Sequence, residues 1–152
     1  MSKGKIRRKS KGGSSGARSR AREVLVQLLY QKQITGHDLR ELRSQVRERK
    51  EYEGIDQQYF DDALAEICGD TDTIEKRIDE FADRPVEHLD PIEKSILLLG
   101  FYELHSAPEV PYRVIINEAV NLAKRFGAED GYKYVNALLD RASKKLRPDE
   151  HG

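Results

Sequence analysis

Between Pro111 and Leu146 the apolar residues fall on two stripes. Ile115, Ala119, Leu122, Ala123 and Phe126 recur at offsets of four, seven, eight and eleven, which is one face of an α-helix. Pro111 suits an early helical position, where its missing N–H is not needed. Gly127 follows the stripe directly, where a left-handed C-terminal cap is expected. Val135, Leu138, Leu139, Ala142 and Leu146 form the second stripe. The spacing predicts a helical hairpin with two apolar faces.

The same periodicity organises the rest of the chain. Val24, Leu25, Leu28 and Leu29 predict a first helix, starting near Ser19 as N-cap and ended by Gly36. Leu39, Leu42 and Val46 predict a short second helix capped by Asp38. Its arginines are interleaved with glutamates, which reads as a solvated face. Phe60, Ala63, Leu64, Ile67, Thr71, Ile74, Ile78 and Phe81 predict a long helix from about Gln57 to Ala82, with Gly69 as a point for a kink or break. Asp90-Pro91-Ile92-Glu93 is the clearest helix start, and Glu93 is placed to reach back to the Asp90 N–H as in a capping box. Ile96, Leu97, Leu98, Leu99, Phe101, Tyr102 and Leu104 then follow with little polar relief, so that helix belongs at the centre of a bundle. No segment alternates with period two. Six or seven helices joined by short loops make an all-α bundle.

Charge changes this picture at one end. The chain has 152 residues, 27 Lys/Arg and 27 Asp/Glu. Residues 1–22 hold nine of the bases and none of the acids, which leaves 18 bases against 27 acids in the remainder. A basic arm on an acidic body points to a polyanion, with nucleic acid the first candidate. Residues 1–16, with GGSSG at their end, hold too little apolar surface to offset ordering and read as a disordered basic arm. Residues 17–148 read as the folded domain and 149–152 as a frayed tail. No apolar run is long enough for a membrane span, and the basic N-terminus lacks the apolar segment of a secretory signal. The single cysteine, Cys68, rules out an internal disulfide and fits a reducing cytoplasm.

Catalytic chemistry is hard to find. His37, His88, His105 and His151 are scattered without ligand spacing, so no metal site is expected. Cys68 reads as a core or half-buried thiol, and nothing calls for a cofactor. The aromatics carry more. Tyr30, Phe126, Tyr132 and Tyr134 lie near helix ends or beside Arg/Lys, which suits single-stranded nucleic acid: bases stack on rings while cations hold phosphates. For each ring taken alone, completion of the core is the competing reading.

From Ala17 onward the chain resembles the NusB family. The resemblance rests on ARSRAREVLVQLLYQKQ, on DPIEKSILLLGFYEL and above all on VPYRVIINEAVNLAKRFGAEDGYKYVNALLDRA, and it covers essentially residues 17–148. It implies two small packed helical bundles and a transcription antitermination role without catalysis. The expected partners are the single-stranded boxA element of ribosomal-RNA leaders, the small-subunit ribosomal protein NusE and, indirectly, other Nus factors and RNA polymerase. Carried over residue by residue, it implies an RNA face of Arg18, Arg20, Arg22, Tyr30, Phe126, Asp130 and Tyr134, extended by Phe81 and Arg84, and a contact to the ribosomal protein at Glu93. The competing class is a protein-only helical scaffold or homodimer whose RNA binding is incidental. The sequence leaves monomer or dimer open.

Overall fold

The computed structural model describes residues 16–151. Apart from Gly16, the expected disordered arm therefore lies outside the described residues. Seven helices follow in order: α1 (Gly16–Thr35), α2 (Leu39–Arg47), α3 (Gln57–Gly69), α4 (Thr71–Phe81), α5 (Pro91–Ser106), α6 (Tyr112–Phe126) and α7 (Gly131–Leu146). Short 3-10 turns lie at Lys50–Gly54, Val86–His88 and Pro148–Glu150, and no strand occurs among the described residues.

The apolar run in α5 explains the arrangement. Every residue from Ser95 to Leu104 is buried, so all sides of this helix need partners. Helices α1, α3, α4, α6 and α7 all pack against it. One group is α1 with α2 and α3, the other α4 with α6 and α7, and a single core runs through both. The predicted stripes face inward: Ile115, Ala119, Leu122 and Ala123 on α6, and Val135, Leu138, Leu139 and Ala142 on α7.

Local chemistry sets most helix ends. Asp38 accepts from the Glu41 N–H at 2.9 Å, and Asp90 accepts from the N–H groups of Ile92 and Glu93 at 3.0 and 3.1 Å. Three boundaries differ from expectation. Helix α1 begins at Gly16, so Ser19 is already helical and donates to Glu118 Oε2 at 3.2 Å instead of capping. The long helix is broken at Asp70, which leaves helical geometry at φ −144°. Gly127 is extended, at φ −90° and ψ 178°; a Cβ there would lie 2.8 Å from the Ala123 carbonyl, so close approach is what calls for glycine. The left-handed glycine cap is Gly36, at φ 73°, whose N–H donates to Lys32 O.

The expected frayed tail is also anchored as far as His151. Arg147 is 8% exposed and donates to the carbonyls of Glu103, Leu104, Ala107 and Val110. These carbonyls lie in the last turn of α5 and just beyond it, where intrahelical donors run out. Glu150 accepts from the Tyr112 N–H, and the His151 ring lies 4.2 Å from that of Tyr112.

Deep in the core α1, α3, α5 and α6 meet around Arg22, which is 1% exposed. Its Nε donates to both Glu103 carboxylate oxygens at 3.2 and 3.0 Å, and its Nη1 to Glu118 at 3.2 Å. The Tyr59 ring lies 5.6 Å from the guanidinium, and the Tyr59 hydroxyl donates to Glu103. Burial alone would depress the Arg22 pKa, but the Glu103 carboxylate holds it above its ordinary value. Burial and the same carboxylate push the Tyr59 phenol well up. Arg22→Met would strand Glu103 as a buried charge, so it is expected to lower unfolding stability by about 3–5 kcal/mol. Arg22→Lys should recover only part, since an ammonium cannot reproduce the guanidinium fork. Urea unfolding of the two variants checks this; a loss under about 1 kcal/mol would show that the network is dispensable.

Candidate nucleic-acid interface

Arg22 must leave the expected RNA face, because its guanidinium is enclosed by Glu103, Glu118 and Tyr59. Its neighbours at the start of α1 are engaged differently. Arg18 is half-buried, pairs with Asp56 at 3.1 Å and lies 4.3 Å from the Tyr59 ring centroid. Arg20 is exposed and donates to Gly54 O at 2.9 Å. The acceptor that these cations need at a positive helix end therefore comes, at least in part, from the chain itself.

Tyr30 lies ten residues beyond Arg20, about 15 Å along the helix axis. The first arginines and this tyrosine thus sit toward opposite ends of α1. What surrounds Tyr30 is the other half of the predicted set. Gln33, one turn on, donates to Pro91 O at 2.9 Å and to Ser95 Oγ at 2.7 Å, which docks the end of α1 on the start of α5. Glu93 lies there, half-buried. A Cβ on Gly131 would overlap its carboxylate, whose Cδ is 3.0 Å from that position. The start of α5 therefore touches the start of α7.

The α6–α7 turn closes this end of the molecule. Phe126 is half-buried, with the Arg125 guanidinium 5.0 Å from its ring. Arg125 pairs with Glu23, two turns before Tyr30 on the same face of α1. Asp130 is exposed and left-handed at φ 69°, an unusual state for a non-glycine residue. Its side chain makes no capping bond and stands 3.5 Å from Lys133 Nζ. One turn on, Tyr134 lies under Arg84, 4.6 Å from the guanidinium, and its hydroxyl reaches Asp83 at 3.4 Å. Burial, then the Asp83 charge, pushes the Tyr134 phenol up, while the hydrogen bond from Arg84 holds Asp83 below the usual carboxylate range. Phe81, half-buried like Phe126 and Tyr134, leans on the core 6.0 Å from Phe101, with Lys145 Nζ 6.0 Å from its ring.

Tyr30, Phe126, Asp130, Tyr134, Arg84 and Glu93 thus gather around the starts of α5 and α7, with Arg18 and Arg20 remote and Arg22 buried. Three more residues belong on this end. Ile34, one turn beyond Tyr30, is 58% exposed; it and Tyr30 are the exposed large hydrophobics among the described residues. Lying off the inner stripe of α1, Ile34 was detectable from helical phase. Arg125 and Lys124 end α6, and Lys124 Nζ is 4.9 Å from the Tyr132 ring. Their signal was an aromatic beside a cation. The charge here is mixed: Asp83, Asp90, Glu93, Glu129 and Asp130 accompany Arg84, Lys124, Arg125 and Lys133.

Among the described residues no group of three or more His, Cys, Asp or Glu could hold a metal ion. No helix among them is long and apolar enough to cross a membrane. Burial pushes the half-buried Cys68 thiol up, away from nucleophilic character.

The sequence model of the NusB family matches residues 19–144. The transcription antitermination protein NusB of Paraburkholderia phymatum is 43% identical over 134 residues, covering 88% of this chain and 92% of that protein. Its counterpart from Alcanivorax borkumensis is 42% identical over 131 residues, covering 86% and 87%. In structure, the chain is similar to T. maritima NusB, with a TM-score of 0.77 at 25% identity over 91% of this chain and 98% of that one. It shares its fold with a chain from a crystal structure of the antitermination factors NusB and NusE in complex with dsRNA, with a TM-score of 0.73 at 22% identity over 84% and 96%.

Glu93 was expected to close a capping box, yet Asp90 alone makes the capping bonds. Burial and the Asp90 charge raise the Glu93 pKa against the pull of Arg84. A carboxyl raised in the folded state contributes stability that is full below its unfolded pKa and is lost as pH rises through the folded value. At neutral pH the Glu93 charge is thus a small burden on the fold. Glu93→Gln is expected to leave the urea midpoint at pH 7 equal or slightly higher, and to flatten the decline as pH rises through and above the ordinary carboxylate range. A marked drop at pH 7 would make Glu93 a structural residue.

Proposed function

The chain belongs to the NusB family, and from that premise we propose that it is a transcription antitermination factor that binds single-stranded boxA RNA of ribosomal leader transcripts together with a NusE-type ribosomal protein. The observation that carries this is that Phe126, Asp130 and Tyr134 lie at the α6–α7 turn, whose Gly131 touches Glu93, while Gln33, one turn beyond Tyr30, docks on the same start of α5. Phe126 and Tyr134 stack on bases or sugars, each backed by a guanidinium at 5.0 and 4.6 Å. Tyr30 and Ile34 offer an apolar edge beside Glu93, which suits a protein partner with a basic group opposite the carboxylate. The mixed charge of this end leaves much of the phosphate neutralisation to residues 1–15 and to Arg18 and Arg20. Binding and positioning are the work proposed, with no bond made or broken, in a cytoplasmic setting. Other Nus factors and RNA polymerase are reached through the assembled complex.

A protein-only scaffold or homodimer is the second reading, favoured by the exposed Tyr30–Ile34 pair. Titration of a boxA-type RNA against a scrambled one, with and without the ribosomal protein, separates the two; equal binding to both RNAs would favour the scaffold. Phe126→Ala is expected to weaken boxA binding roughly tenfold, since a base–aromatic stack contributes about 1–3 kcal/mol. Asp130→Asn should tighten it, because a carboxylate near phosphates repels them and its removal releases Lys133. Asparagine tolerates the left-handed backbone, so this variant tests charge without strain. A large loss would instead assign Asp130 to reading a base edge. With about four cations on phosphates, log K should fall against log salt with a slope of roughly −3.

A further inference from the structure

On the side of the hairpin away from α5, a groove of about 760 Å³ runs between α6 and α7. Its floor includes Ile116 and Val120, both half-buried. Its walls carry Tyr112, Arg113, Asn117, Tyr132, Lys133 and Asn136. None of these belongs to the inward stripes, and of them the boxA reading draws only on Lys133, the ion-pair partner of Asp130. We propose that this groove is a second single-stranded RNA-binding segment, which takes the nucleotides flanking those held at the α6–α7 turn.

Three observations favour RNA as the occupant. Each end of the groove has a ring with a cation beside it: Lys124 Nζ is 4.9 Å from the Tyr132 ring, and the Arg113 guanidinium is 5.6 Å from that of Tyr112. An aromatic platform with a neighbouring cation accepts any base and its phosphate. Between the two ends, Asn117 and Asn136 are exposed on facing helices, and neither amide bonds to another described side chain or carbonyl. Amides offer both donor and acceptor to a base edge. The third observation is continuity. Tyr132 follows the Phe126–Asp130 turn directly, so a strand leaving that turn meets this groove first. Its lining on α6 runs from Tyr112 to Val120, about 13 Å along the helix axis. Asp140 is the acid in the lining, and Lys144 stands 3.6 Å from it, which offsets its repulsion.

The inference rests on the turn being an RNA site, and the test separates the two. The full chain is titrated with a short boxA-type RNA and with the same RNA lengthened at either end. One extension is expected to tighten binding, and Tyr132→Ala and Asn136→Asp should each abolish that gain, roughly tenfold, while the short RNA binds as before. Asn136 is exposed, so its variant keeps the test valid if Tyr132→Ala perturbs folding. No gain from either extension, or equal losses on short and long RNA, overturns the groove. Loss of affinity for the ribosomal protein with RNA binding untouched also overturns it, and makes the groove a protein seat. Phe126→Ala run in parallel reports on the turn: if it leaves both RNAs unaffected while Tyr132→Ala removes the gain, the turn reading falls and the groove stands.

Discussion

A charge inside an apolar bundle must be matched where it lies, and Arg22 imposes that condition on four helices at once. Its guanidinium needs Glu103 from α5 and Glu118 from α6, and Glu103 in turn takes the Tyr59 hydroxyl from α3. Leucine stripes tolerate rotation and sliding, because one methyl contact resembles the next. A fork of directed hydrogen bonds does not. A one-residue slip of α1 along α5 would leave two buried ions unpaired, a far larger penalty than the loss of a few apolar contacts. Ion pairs of this kind add little net stability over hydrophobic packing, and their best-attested use is to set register. Here the register set is that of α1 against the hairpin, which seats Glu23 against Arg125 at the end of α6.

Arg147 completes the restraint from the other terminus. It gives its donors to four carbonyls at and beyond the end of α5, so the last turn of the central helix is held by Arg22 through the Glu103 side chain and by Arg147 through its carbonyls. Its start is held by contact with α7, through the Glu93 carboxylate against Gly131. The proposed partner residue and the proposed RNA turn are therefore in van der Waals contact, at the end of α5 where neither arginine acts.

Helix existence and inward faces were legible because burial writes itself into periodicity. The α5 run, the α6 and α7 stripes and the Asp38 and Asp90 caps all follow from spacing and local chemistry. Arg22 was misread for a reason that spacing could have corrected. In composition it belongs with the basic N-terminus, but it precedes Leu25 by three residues and Leu29 by seven, which is the inner face of α1. Glu103 is the matching misfit, the one carboxylate in the buried run of α5. Two opposite charges, each on an otherwise buried stripe, imply one another across the core. The anchoring of Arg147 gave no such signal, since its partners are backbone carbonyls and carry no sequence identity. Nor did the contact of Glu93 with Gly131, which depends on the angle between two helices.

At the candidate site, residue types were legible and their division was not. The sequence places arginines and aromatics in one chemical class and invites a single basic surface. The fold separates them: the first arginines lie toward one end of α1, and the rings gather at the other among as many acids as bases. A surface of that kind binds a polyanion weakly through charge alone, because each phosphate brought near Asp130 or Glu93 meets repulsion that offsets Arg125 or Lys133. Stacking is indifferent to that balance. Affinity and discrimination then rest on different parts of the chain. In the proposed reading, cations outside the turn draw in any RNA, while the turn admits only a strand whose bases seat on Phe126 and Tyr134 without pressing phosphates against the carboxylates. An acidic body is what such selection requires, since a uniformly basic one would hold every RNA equally well.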